Sequence, residues 1–169
     1  NDDKPFFLFL HTFQVHDPYS PPEQYKNLFR EREGGEISES SPRPLRDLVA
    51  YDQEIRYTDD QLSAFFEFLR ERRRLDNTVI IVTSDHGEEF FEHGAIGHGT
   101  QLFEESMRVP LLLRGGGVRQ GTRPAALMGA IDVAPTLLQL AGQAPPTDVE
   151  GIARGEELRT GAAWSTEMR

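Results

Sequence analysis

Cysteine is absent from all 169 residues, which excludes disulfides, thiolate metal sites and cysteine nucleophiles within them and leaves both redox compartments open. Basic charge is scarce: 18 Lys and Arg stand against 28 Asp and Glu, for a formal charge of −10. A chain this acidic opposes the phosphate backbone, whose binding draws on clustered cations, so nucleic acid is not expected as a partner. Long apolar runs are missing as well. Stretches such as Val79 to Val82 and Val109 to Leu113 fall far short of the ~20 residues that cross a bilayer, and no membrane segment is expected in this chain. An initiator Met, a signal peptide and a transit segment are also lacking, and Asn1 to Pro5 leads straight into Phe6 to Leu10. The chain is therefore expected to be an excerpt of a longer protein. What remains is ordinary for a folded domain: 37% hydrophobic and 9% aromatic residues suffice for a core and argue against disorder.

Phe6 to Leu10 is a short, continuous apolar run that reads as a buried strand. His16, Asp17, Pro18, Tyr19, Ser20, Pro21 and Pro22 then break regular structure, because each proline lacks a donor and restricts its predecessor. Residues 30 to 46, with Gly34, Gly35, Pro42 and Pro44, read as an exposed connection. Leu48, Tyr51, Ile55, Thr58, Leu62, Phe65 and Leu69 recur at spacings of three and four, which predicts a helix over about 45–75 with these side chains on its buried face. Arg70, Arg72, Arg73 and Arg74 are expected as its solvated end, complementing the helix dipole. Thr78 to Thr83 is β-branched and continuous, as in a central strand buried on both faces. Pro110 to Leu113 and Leu127 to Ile131 are further strand candidates. Asp132 is placed to cap a helix through Leu140, with Pro135 in the first turn and Gly142 at the end. Strands alternating with helices indicate an α/β class with a mostly parallel sheet covered by helices on both faces.

In an open α/β sheet, ligands gather at the carboxyl ends of strands. Asp85 and His86 follow the most strand-like run, where a carboxylate beside an imidazole on a tight Gly turn can present oxygen and nitrogen to one divalent cation. The plain alternative makes Asp85 a turn cap and His86 a loop residue. His86, His93 and His98 fall close together with Gly87, Gly94, Gly97 and Gly99 between and around them. A zinc site built from all three histidines is conceivable, although the spacing matches no common pattern. His11 and His16 form a second constellation, and His16 would meet Asp85 and His98 if strands 6–10 and 78–83 were neighbours. Asp59 and Asp60 read as polar-face residues of the long helix.

Longer strings make the reading more specific. Thr83 to Glu89, Phe91 to Gly94, Gly97 to Thr100 and Phe103 to Leu111 resemble, in order, the C-terminal half of sulfatases in the alkaline phosphatase superfamily. His16 to Tyr19 with its prolines, Tyr51 to Ile55, and Ile131 to Leu137 carry the same resemblance, which covers nearly the whole chain. It implies an alkaline phosphatase-like fold, here incomplete, with residues 1–169 forming the C-terminal portion of a catalytic domain. The implied activity is metal-dependent hydrolysis of sulfate esters, and the fragment alone is expected to be inactive.

The resemblance also implies roles. Asp85 and His86 match ligands of a single divalent cation, Ca²⁺ or Mn²⁺. Many sulfatases carry Asn at the second position, and Asp-His looks more like the branch that includes phosphonate monoester hydrolases. His98 stands where many members have a sulfate-binding Lys, and its charge would vary with pH in the neutral range. His16 matches the His that contacts ester oxygens near the leaving group. Glu88, Glu89 and Glu92 are expected beside the ion or solvated, none of them as a ligand, and Glu104, Glu105 and Arg108 as supports. The family nucleophile is a Cys converted to formylglycine, or a Ser, with Pro or Ala two positions on and Arg four positions on. Ser165 has Arg169 four residues later, but Glu167 intervenes, and Asp2 and Asp3 do not match the family's paired N-terminal ligands. Nucleophile and N-terminal strands are thus expected elsewhere in the parent protein. The substrate implied is a small sulfated molecule, with phosphate or phosphonate monoesters as the alternative on the same scaffold. A non-catalytic module that keeps metal or anion affinity is a third reading. Members of this type are often exported, which implies a periplasmic or extracellular location.

Overall fold

A computed structural model describes residues 4–32 and 34–164. Ser165, Glu167, Asp2 and Asp3 lie outside the described residues. The chain divides into two compact units, one holding the residues up to Glu67 with Phe90–Gly97, the other Phe68–Glu89 with the chain from His98 onward.

In the first unit, strands β1 (Glu31–Arg32) and β2 (Gly35–Glu36) form an antiparallel hairpin. Helix α1 (Arg43–Glu71) follows, with Pro44 in its first turn, where a missing N–H costs nothing. Its buried face differs from the expected one. Val49, Gln53 and Glu54 are buried while Ile55 is exposed. The reason is the irregular, proline-rich chain before the helix, whose backbone groups need partners that no ladder supplies. Gln53 Nε2 donates to the Lys26 and Leu28 carbonyls at 2.9 and 2.8 Å, Ser20 N donates to Glu54 Oε1 at 2.6 Å, and Tyr25 OH donates to Asp60 Oδ2 at 2.9 Å. Tyr19 packs edge-on against Tyr51, 5.7 Å between ring centroids. Asp60 also pairs with Arg56 at 2.8 Å, and Asp59 is exposed, as a polar face requires.

Residues 6–10 depart from expectation. They form no strand, and their side chains are 53% to 78% exposed. An apolar run is buried only when neighbouring strands cover its faces, and no described strand pairs with this one. Leu127 to Ile131 likewise forms no strand; Ala130–Asp132 is a 3₁₀ turn, and Leu127 and Ile131 are exposed.

In the second unit α1 ends at Glu71, with Arg73 in the left-handed region at φ 54° and Arg74 N bonded back to the Leu69 carbonyl at 2.8 Å, the pattern of a Schellman stop. The arginines here are largely exposed, as expected of a solvated end, and Arg72 lies over the Phe68 ring. Strand β3 (Ile80–Thr83) leads to β4 (Glu89–Phe90), where the units divide, and to β5 (Ile96–Gly97) of the first unit. A one-turn helix α2 (Glu104–Met107) precedes strand β6 (Leu111–Arg114). β3 and β6 pair antiparallel, with Ile81 opposite Leu113 and Val82 opposite Leu112. That pairing departs locally from a mostly parallel sheet. Parallel return needs a crossover element of a dozen or more residues, and the described chain between β3 and β6 offers no helix longer than α2 in this unit. β3 is also half-buried rather than buried on both faces, because its described ladder is with β6 alone. Gly115 takes φ 86° after β6, where a Cβ would stand 2.2 Å from the Thr78 carbonyl oxygen.

Helix α3 (Val133–Leu140) forms as expected, with Pro135 buried in its first turn and Gly142 at φ 75° closing it. Asp132, however, makes no side-chain cap. Its Oδ1 accepts from Ile152 N at 2.7 Å, and Thr136 Oγ1 and Gln139 Oε1 accept from Arg154 N and Gly155 N at 2.9 and 2.7 Å. These three bonds seat the chain entering helix α4 (Gly155–Thr160). Arg159 of α4 returns to the Gly116 carbonyl at 2.7 Å, beside β6.

Candidate active site

The carboxyl end of β3 opens into a tight loop in the second unit. The Ser84 hydroxyl donates to the His86 carbonyl at 2.7 Å, and His86 N donates to Asp85 Oδ1 at 3.1 Å. Gly87 N donates to the Ser106 carbonyl at 2.8 Å. A Cβ at Gly87 would sit 2.0 Å from the Glu105 carbonyl oxygen, so the loop presses backbone to backbone against α2, a contact open only to glycine. Glu105 and Ser106 therefore support the loop, as the sequence suggested for Glu105. Glu104 and Arg108 form an exposed ion pair at 3.7 Å along α2.

Asp85 and His86 bring an oxygen and a nitrogen donor to the same side of this loop. Asp85 is exposed, and its Oδ1 stands 3.8 Å from His86 Nε2. Partial burial raises the Asp85 pKa, but its own and the His86 backbone N–H, the His86 ring and the Ser84 hydroxyl outweigh this and hold it below the ordinary carboxylate value, favouring the ligating form. His86 Nδ1 lies 2.8 Å from the Gly87 carbonyl. A carbonyl only accepts, so Nδ1 carries the proton and Nε2 is the nitrogen left to bind metal. Oxygen and nitrogen ligands lie about 2.0–2.5 Å from a divalent cation, and two donors 3.8 Å apart fit adjacent positions around one such ion.

His98 joins this pair. Its ring stacks on His86 with centroids 3.8 Å apart and planes 24° from parallel, and its Nδ1 lies 3.1 Å from Glu88 Oε1. His86, His98, Thr100, Gln101, Leu102 and Met107 line a cleft of about 260 Å³. It combines imidazole, hydroxyl and amide groups with two exposed apolar side chains, chemistry suited to an anionic group on an organic body.

The remaining histidines belong to the first unit. His16 is half-buried, and its Nδ1 lies 2.7 Å from the Asp17 carbonyl, which again assigns the proton to Nδ1. His11 is exposed, with its ring 4.7 Å from that of Phe13. His93 is exposed as well, so the second unit brings together His86 and His98 but not a third histidine. Of the acidic residues, Glu92 is exposed and its Oε2 accepts from Phe90 N at 2.6 Å, whereas Glu89 is buried. Glu88, expected beside the ion or solvated, takes His98 as its partner; the sequence did not name that pair, since the two stand ten positions apart and only folding brings them together. Glu54 was also missed, although its place in a polar string on the apolar side of α1 was visible.

A family model described as Sulfatase matches residues 1–143. Arylsulfatase K of Canis lupus familiaris is 33% identical over 96 residues, which are 57% of this chain and 18% of that protein. A protein solved in complex with its substrate D-glucosamine-2-N,6-O-disulfate superposes with a TM-score of 0.66 and 28% identity, over 75% of this chain and 26% of that one. Phosphonate monoester hydrolase of Agrobacterium radiobacter superposes with a TM-score of 0.61 and 30% identity, over 80% of this chain and 27% of that one. The chain thus spans less than a third of the length of each of these proteins.

Proposed function

The chain belongs to the sulfatase family of the alkaline phosphatase superfamily, and on that premise we propose that it forms part of the active site of a metal-dependent sulfuric ester hydrolase. Asp85 and His86 would hold one divalent cation, Ca²⁺ or Mn²⁺. When bound, such a cation neutralises charge on the ester oxygens and favours attack on the sulfur. His98, tied at Nδ1 to Glu88, binds an ester oxygen through Nε2 when that nitrogen is protonated. His16, tied at Nδ1 to the Asp17 carbonyl, serves the oxygen of the leaving group in the same way. The substrate is a small sulfated molecule. A formylglycine or serine nucleophile belongs to the part of the family's length that this chain does not span, and a periplasmic or extracellular location belongs to the same reading.

The observation that supports it most is the end of β3, where Asp85 Oδ1 and His86 Nε2 stand 3.8 Å apart with the His98 ring stacked on His86. The test is turnover of an aryl sulfate by the full chain as its gene encodes it, before and after chelation. Turnover that is lost with chelator and restored by Ca²⁺ or Mn²⁺ is expected; absence of any sulfate turnover in the metal-loaded protein overturns the reading. A second reading, hydrolysis of phosphate or phosphonate monoesters, is favoured by the adjacent Asp-His pair and by the likeness to the Agrobacterium radiobacter enzyme. An aryl phosphonate assayed beside the aryl sulfate separates the two by their kcat/KM ratio.

A further inference from the structure

We propose that Glu88 is a positioning residue for His98: its buried carboxylate grips Nδ1 and sets the imidazole so that it acts through Nε2. The inference rests on the sulfatase reading for what His98 does, but not for how His98 is held. The Glu88 side chain is 6% exposed and its Oε1 lies 3.1 Å from His98 Nδ1. An ionised carboxylate only accepts hydrogen bonds, so the proton of this pair sits on Nδ1, and a buried carboxylate needs such a donor. Glu88 is itself well anchored, because Gly87 before it is bonded to the Ser106 carbonyl at 2.8 Å and lies too close to Glu105 for any side chain. The contrast with His86 is informative. A backbone carbonyl orients that ring and no substitution removes it, whereas the grip on His98 is a side chain. The stack of the two rings, 3.8 Å apart, means that a freed His98 would also leave the face of His86.

The test compares Glu88→Ala and Glu88→Gln with the wild type in the full chain, by steady-state kinetics and by proton NMR of the His98 Nδ1–H. Loss of the partner that orients a metal-ligating histidine typically costs about 10–100-fold, and a loss of the same order is expected where the oriented imidazole contacts substrate. Glu88→Ala is expected to lower kcat by that range and to abolish the downfield, exchange-protected Nδ1–H resonance. Glu88→Gln keeps an acceptor oxygen and is expected to retain the resonance and most of kcat; should the alanine variant fail to fold, this variant alone carries the test. A folded Glu88→Ala protein with the resonance intact and kcat within twofold of wild type overturns the proposal, as does a Glu88→Gln protein that loses the resonance. A wild type without sulfatase turnover but with a Glu88-dependent resonance would instead sink the functional reading and leave the positioning role standing.

Discussion

His16 and His86 are oriented by the same local device, each pointing Nδ1 at the carbonyl of the residue that follows, at 2.7 and 2.8 Å. Their loops are held differently. The loop of His86 leaves a strand and is clamped backbone to backbone, Gly87 against Ser106 and Glu105. The loop of His16 follows a run that forms no strand, and the chain after it is held by side chains, with Glu54 on Ser20 N and Gln53 on the carbonyls of Lys26 and Leu28. A backbone clamp tolerates no added atom. A side-chain grip depends on the chemistry of the groups that make it, including their charge.

The comparison is sharpened first by removing the imidazoles. On the proposed metal-ligand role, His86→Ala is expected to lower kcat/KM by about 10³-fold, because losing a ligand forfeits several kcal/mol of charge stabilisation. His16→Ala is expected to cost about 10²-fold, the lower end for a proton-transfer or binding group. Equal losses in the two variants would break the proposed distinction between a ligand role for His86 and a leaving-group contact for His16.

Gly87→Ala probes the clamp itself. Forcing a methyl into that contact is expected to destabilise the fold by about 1–3 kcal/mol, read as a lowered denaturant midpoint. A stability equal to wild type would mean that the loop is free to move away from α2.

Glu54 tests the side-chain grip through pH. Burial raises its pKa above the ordinary carboxylate value, with the Ser20 N–H and the Gln14 side chain opposing the shift. The folded state thus binds the proton more tightly than the unfolded chain. The stability from this group is complete below the unfolded carboxylate's pKa of about 4.3 and is lost as pH rises through the raised folded value. Glu54→Gln keeps an acceptor for Ser20 N without the charge. Its Tm is expected to exceed that of wild type at neutral pH and to converge with it near pH 4; a gain that grows on acidification would contradict the assignment.

The smallest effect is expected at Asp17. Its carbonyl, not its side chain, orients His16, and its carboxylate makes an exposed contact of 3.8 Å with Arg43, a kind worth little. Asp17→Ala should change stability by less than about 0.5 kcal/mol and leave the His16 Nδ1–H resonance in place.

Much of this was legible beforehand. The three-and-four spacing marked α1, the β-branched run marked β3, Pro135 and Gly142 framed α3, and Asp85 and His86 followed β3 as the strand-end rule requires. What was not legible depends on partners distant in sequence. Phe6 to Leu10 reads as a strand by composition, yet its side chains are exposed, because a strand exists only with a neighbour. The most buried α1 side chains near residue 50 include Gln53 and Glu54 rather than Ile55, because an irregular segment some 30 residues earlier needed hydrogen-bond partners. Asp132 looked like a cap and turned instead to Ile152.

By itself, then, the sequence determined which residue types stand next to one another: an acid beside an imidazole after a β-branched run, glycine where the loop must turn, and no cysteine anywhere in 169 residues. Adjacency along the chain is enough for this, since Asp85 and His86 come within 3.8 Å through their shared backbone. Tertiary structure alone decided that Glu88 takes His98, that His98 stacks on His86, that Gly87 admits no side chain and that Glu54 is buried. Each is a contact between residues brought together by packing, whose energy depends on distance and burial that the order of residues does not contain.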